Sequence, residues 1–195
     1  MTAIANYGEL RAALSDHIGH RNVSAVLPRL VQMAESYLNR ELRTRYQITY
    51  ATLTLASGVA NLPADFLEMA HLYGLNGFQY RSGPLSTSRS LPTQYSRYSV
   101  DGTKIYIDGF SGDRDIAYFA KLPTLTASPN TNWLLVNYPE VYLYAVGLEA
   151  AKYLKDADLL TISKALLEDS LRSVRVDDDR ARWSNTTVRV QGINP

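Results

Sequence analysis

The chain has 195 residues, 46% of them hydrophobic, with 20 Lys and Arg against 19 Asp and Glu and a net charge of +1. That apolar content fills a core and excludes wholesale disorder. The charge balance is unlike the strongly basic footprint of a protein that neutralises long nucleic acid, and the absence of cysteine excludes disulfides, thiolate metal sites and cysteine nucleophiles.

The first 45 residues predict two helices. Tyr7 to Ile18 places Leu10, Ala13, Leu14 and Ile18 on one face, with Gly19 as a left-handed stop. Ser24 is the expected N-cap of the second helix, and Pro28 falls in its tolerant first turn. Leu27, Leu30, Val31, Ala34, Leu38 and Leu42 then recur at helical spacing. The short connection predicts an antiparallel pair.

From Gln47 the period changes to two. Ile48, Tyr50, Thr52 and Thr54 alternate with Ala51, Leu53 and Leu55; Ser57–Gly58 turns the chain, and Val59 to Leu62 can pair back. Leu67 to Leu75 is strand-like. Residues 76–93 are rich in Gly, Ser, Pro and Arg and predict an exposed loop. Tyr98 to Val100 and Lys104 to Asp108 predict strands joined at Asp101–Gly102, and Asp115 to Lys121 alternates again.

Helix returns after Pro129. Asn130 or Thr131 can cap a short turn carrying Trp133, Leu134 and Leu135, and Pro139 suits the first turn of the next helix. That helix, Glu140 to Leu154, is apolar on two sides: Val141, Tyr144, Ala145 and Leu148 on one, Tyr142, Val146 and Tyr153 on another. Asp156 or Asp158 caps a long last helix bearing Leu159, Ile162, Leu166, Leu167, Leu171 and Val174. The segment Thr186 to Gln191 alternates like a strand, with Val188 and Val190 apolar and Thr187, Arg189 and Gln191 polar.

The expected fold is α+β: a mainly helical bundle body, an inserted small antiparallel β subdomain and an extended C-terminal arm. The boundaries are 1–46 for the N-terminal helical pair, 47–125 for the β-rich insertion with its long loop, 126–183 for the completing helices and 184–195 for the arm. No apolar run reaches the roughly 18–20 residues of a membrane span. The start MTAIANYGELRAAL lacks the pattern of a signal peptide, so a soluble chain is expected.

Catalytic signatures are missing: there is no G-x-G-x-x-G, Walker A, H-E-x-x-H or G-x-S-x-G. No catalytic residue, metal or cofactor is therefore expected. His17 and His20 share a helix end, but zinc would need two further ligands, so dipole-favoured terminal histidines are the expectation. His71 reads as structural. Asp177, Asp178 and Asp179 splay through about 200° on a helix and predict a solvated face. Arg29, Arg40 and Arg43 share part of a helix face with Glu35 and Glu41 nearby, which suits solubility better than phosphate binding. Glu35 alone could be imagined as a glycosidase acid, for which a second carboxylate must stand across a cleft. Fourteen tyrosines against four phenylalanines supply rings with polar tips, suited to surfaces that assembly covers or to core edges.

Three blocks carry a resemblance. VLPRLVQMAESYLNRELRTR at 26–45, TNWLLVNYPEVYLYAVGLEAAKYLKD at 131–156 and DDDRARW at 177–183 resemble, in order and spacing, helical segments of the head-to-tail adaptor (connector) proteins of tailed bacteriophages. The resemblance implies a structural virion protein of the neck, assembled in the host cytoplasm. It would form a homo-oligomeric ring, commonly a dodecamer, beneath the portal protein. Genomic DNA would pass through the ring without sequence-specific binding, and the next tail or nozzle protein would attach below. On that reading, Tyr142, Val146 and Tyr153 form the subunit interface. Tyr80, Arg81, Arg89 and Tyr95 are loop contacts, and Thr186, Thr187, Val188, Arg189, Val190 and Gln191 form a portal-binding arm. Two other classes remain open on sequence alone: a phage-encoded peptidoglycan hydrolase using Glu35 or an aspartate, and a sequence-independent DNA-binding module, which would show steep salt dependence.

Overall fold

A computed structural model describes residues 4–74, 78–84, 97–107, 109–126 and 131–183. The chain divides into two compact units, one made of residues 1–42 with 123–195 and one of residues 43–122. Together they make an α+β fold with antiparallel sheets.

The first unit is helical. Helix α1 spans Tyr7–His17, with the Asn6 side chain accepting the Glu9 N–H as its N-cap. It stops at Gly19 and His20, both in the left-handed region. Helix α2 spans Leu27–Glu41. Its N-cap is Val26 without a side-chain bond, and Pro28 occupies the first turn. Ser24 thus lies too early to cap it; the Ser24 N–H instead bonds the Asn22 side chain at 3.1 Å. A short helix α3, Trp133–Asn137, is capped by Asn132, not by the residues before it: Asn132 Oδ1 accepts the Leu135 N–H at 3.0 Å.

Helix α4, Pro139–Leu154, is the centre of this unit. Val141, Tyr142, Ala145, Val146, Gly147, Leu148, Glu149, Ala150 and Ala151 are all buried, and α1, α2, α3 and the last helix, α5 (Ala157–Trp183), pack around it. Lys155 adopts the left-handed conformation that ends it. Asp156 then caps α5, Ala157–Trp183, by accepting the Leu159 N–H at 2.9 Å. The buried side of α5 comprises Ser163, Leu167, Ser170, Leu171, Val174 and Asp178.

The second unit is a pair of sheets. Strands β1 (Ile48–Leu55), β7 (Gly112–Ala120) and β3 (Phe66–Leu72) form one in the order β1-β7-β3. The other runs β2-β6-β5-β4, from β2 (Val59–Asn61), β4 (Arg81–Ser82), β5 (Arg97–Asp101) and β6 (Lys104–Tyr106). Ser57 and Gly58, both with positive φ, form the turn after β1. β2 does not continue pairing with β1, however. Beyond the Ala56–Val59 bridge it pairs with β6, Val59 opposite Tyr106. The expected β5–β6 hairpin is present, Asp101 opposite Lys104. β4 and β5 are parallel. Period-two alternation sends Leu53, Leu55, Ile116 and Tyr118 to one side, where they join Leu62, Leu72, Tyr98, Ile105 and Ile107 in a single core.

Candidate assembly surfaces

The helical unit carries a buried polar network. Glu35 on α2 is 4% exposed. Its Oε1 accepts the Leu125 N–H at 2.7 Å and the Tyr142 hydroxyl at 2.8 Å. Asn132 Nδ2 donates to the Tyr142 oxygen at 2.9 Å and to the Pro123 carbonyl at 2.7 Å. Burial pushes the Glu35 carboxyl up from its ordinary value, against the opposing pull of the Leu125, Tyr142 and Thr124 bonds. Burial, then the Glu35 charge, pushes the Tyr142 phenol up. A general acid must reach a substrate. Glu35 is instead enclosed and bonded to its own chain, and this geometry ties the 123–125 strap to α2 and α4.

The histidines diverge. His17 packs against Gly147 and Tyr144, with Nε2 3.0 Å from Ser163 Oγ, and burial lowers its pKa. His20 is exposed, 3.6 Å from Asp16. His71 lies exposed on β3 beside the Tyr73 ring. Arg43 pairs with Glu68 at 2.6 Å, and Arg40 bonds Ser36. The acidic run is not uniformly solvated: Asp178 is buried and accepts from Arg182 at 2.7 Å.

The expected subunit interface needs correction. Tyr142 and Val146 are fully buried within the chain, because α1, α2, α3 and α5 cover both sides of α4. These two residues are therefore closed to a neighbouring subunit, while Tyr153 remains 48% exposed. Apolar surface is found instead on α5. Ile162, Leu166 and Val176 are 55%, 37% and 41% exposed. At about 100° per residue they fall within roughly an 80° stripe. The sequence groups Ile162 and Leu166 with Leu167, Leu171 and Val174 in one apolar set, of which only the last three are buried. The usable signal was that Leu159, Ile162 and Leu166 form a second stripe beside Leu167, Leu171 and Val174.

Of the loop contacts, Tyr80 is half-buried under Arg114, whose Nε donates to its hydroxyl at 3.4 Å. Arg81 is exposed on β4. Arg89 and Tyr95 lie outside the described residues, as does the arm from Thr186 through Thr187, Val188, Arg189 and Val190 to Gln191. Among the described residues, no helix is long and apolar enough to cross a membrane.

Each unit buries its own core, and apolar side chains left on one face of α5 are what a protein that works through contacts with other chains would present. The sequence matches the SU10 adaptor protein family over residues 5–191, and the chain belongs to that family. The family is one of bacteriophage structural adaptors. No curated relative matches the chain.

Proposed function

We propose that the protein is a ring-forming subunit of the virion neck. Copies stand side by side beneath the portal, twelve in the expected ring, extend the DNA channel and hold the next tail or nozzle component. The observation that carries this reading is the adaptor-family match, which runs from residue 5 to residue 191 and so spans both units. The α5 stripe at Ile162, Leu166 and Val176 supports it with apolar surface on the helical unit that a neighbouring subunit would cover. The net charge of +1 suits a channel through which DNA must slide, since a strongly basic lumen would hold the phosphates.

The arm at 186–191 would attach to the portal by adding a strand to a sheet edge. Main-chain hydrogen bonds would supply affinity, and alternate side chains would set register. The mass of the purified protein, alone and mixed with its portal, tests the reading. A ring alone, or one that forms on the portal, supports it. A monomer that ignores the portal sinks it. Truncation after Asn185 should abolish portal attachment while leaving the helical unit folded.

A further inference from the structure

We propose that the β-rich unit makes a head-to-tail contact between copies of this chain, in which Arg81 and Arg97 of one copy enter the depression framed by Tyr50, Tyr73 and Asp115 on the next. The inference rests on the ring reading and names a second contact within that ring.

The accepting surface is the side of the β1-β7-β3 sheet opposite the core. Register places Thr52 across from Asp115 and Thr54 across from Asp113, and each threonine hydroxyl donates to its aspartate Oδ1 at 2.7 Å. Among the described residues, neither aspartate has a cationic partner. Tyr50 is 72% exposed, the highest value among the large exposed apolar side chains. Tyr50, Ala51, Thr52, Tyr73 and Asp115 line an open depression of about 400 Å³. Aromatic rings beside a carboxylate suit a guanidinium, which stacks on the ring and donates charge-assisted hydrogen bonds to the carboxylate from its edge. The same unit already stacks one arginine on a ring, though without a carboxylate: the Arg114 guanidinium carbon lies 3.5 Å from the centre of the Phe110 ring, and its N–H groups donate to the Tyr80 hydroxyl and the Asp113 carbonyl.

The donating surface is the β4–β5 pair. Arg81 and Arg97 are Cα partners there, and both are exposed. No carboxylate pairs with either among the described residues. Like charges set side by side on a sheet repel. An anionic neighbour removes that repulsion, and the chain carries such a neighbour on its other sheet. Each patch complements the other and repels its own copy. The contact is therefore heterologous, and repeating it generates a ring when the rotation closes.

The absence of cysteine makes a direct test clean. Full-length Y50C and R81C chains are oxidised separately and as a mixture. We expect a disulfide-linked two-chain species in the mixture at a level at least about tenfold above either variant alone, because like-charged patches disfavour the homotypic encounters. A second arm uses charge exchange. D113K/D115K and R81E/R97E should each assemble at least about tenfold more weakly than wild type, and mixing the two should restore one contact per pair. Melting curves of each variant confirm folding. Equal self-linking by Y50C overturns the proposal in favour of a symmetric contact. Tighter binding of R81/R97 chains to a DNA duplex than of R81E/R97E chains, without cross-linking, overturns it in favour of phosphate. A wild-type ring without Y50C–R81C linking removes this contact but leaves the ring reading intact. A monomer without linking removes both.

Discussion

Tyr142→Phe deletes one oxygen from the middle of the helical unit and keeps the ring that fills the core. Two bonds go: the hydroxyl's donation to Glu35 Oε1 at 2.8 Å, and its acceptance from Asn132 Nδ2 at 2.9 Å. A hydrogen bond to a charged group is worth about 1.5–3 kcal/mol, and a buried donor left without a partner costs about 1–3 kcal/mol. Asn132 keeps its bond to the Pro123 carbonyl, which limits the second loss. The expected destabilisation is about 3 kcal/mol at pH 7, or a fall in melting temperature of about 6–12 °C for a chain of this size. The cost should depend on pH. Glu35 has its carboxyl raised above 4.5 by burial. The folded state thus holds that proton more tightly than the unfolded chain does, and its contribution to stability is complete below 4.5 and declines as pH rises through the folded value. The Tyr142 hydroxyl favours the carboxylate, so its removal raises the pKa further and costs most above that window. Urea unfolding at several pH values measures this, with Glu35→Gln as the background in which the pH dependence of the loss disappears. A loss below about 0.5 kcal/mol at pH 7, or one equal at all pH values with Glu35 present, would refute the reasoning.

Other substitutions test other parts of the structure. Gly147→Ala would place a Cβ 2.8 Å from His17 Cδ2 and 2.9 Å from Nε2, displacing the ring and its Ser163 contact. After the helix-propensity gain of roughly 1 kcal/mol, a net loss of about 1–2 kcal/mol is expected by chemical unfolding. The Tyr118 hydroxyl donates to Asp65 at 3.0 Å, and burial followed by that carboxylate pushes its pKa up to about 12. Stability should therefore fall from pH 10 to about 12, as the unfolded phenol ionises first, and Tyr118→Phe should flatten that limb in alkaline melts. Ile162→Asp with Leu166→Asp should leave the melting temperature of the isolated subunit within about 2 °C, since both sites are exposed. The same pair should lower the oligomer mass in sedimentation.

Local signals carried much of the fold. Pro139 at the head of α4, the positive φ of Gly19 and the Ser57–Gly58 turn each follow from a backbone preference confined to a few residues. Errors arose where the deciding partner was distant. β2 looks like the returning arm of a β1 hairpin but finds β6 instead, more than forty residues later. Periodicity found two apolar sides on α4 and could not count what covers them, because the cover includes the five-residue α3. On α5, two apolar stripes interleave in one sequence, and only packing distinguishes Leu167, fully buried, from Leu166, exposed. Glu35 reads in the sequence as an acidic neighbour of Arg29, Arg40 and Arg43 or as a lone glycosidase acid, and not as a bonded core residue. Its partners lie 90 and 107 residues away.

That carboxylate has a positional consequence that hydrophobic burial cannot supply. Apolar side chains such as Leu38, Leu134 and Val141 gain from burial in many neighbouring registers, because the effect has no direction. Glu35 Oε1 requires a particular N–H, that of Leu125, and a particular hydroxyl, that of Tyr142, within about 3 Å. Asn132 extends the requirement by bonding the Pro123 carbonyl, the Tyr142 hydroxyl and the Leu135 N–H at once. A slip of α4 by one residue would break several of these bonds and leave a charge in the core, a penalty of several kcal/mol. The network therefore fixes α2, the strap, α3 and α4 in one arrangement. For an adaptor subunit this has a direct use. The α5 stripe stands on a helix packed against α4, so a single setting of α4 gives every copy the same outer surface, as the identical contacts of the proposed ring would require.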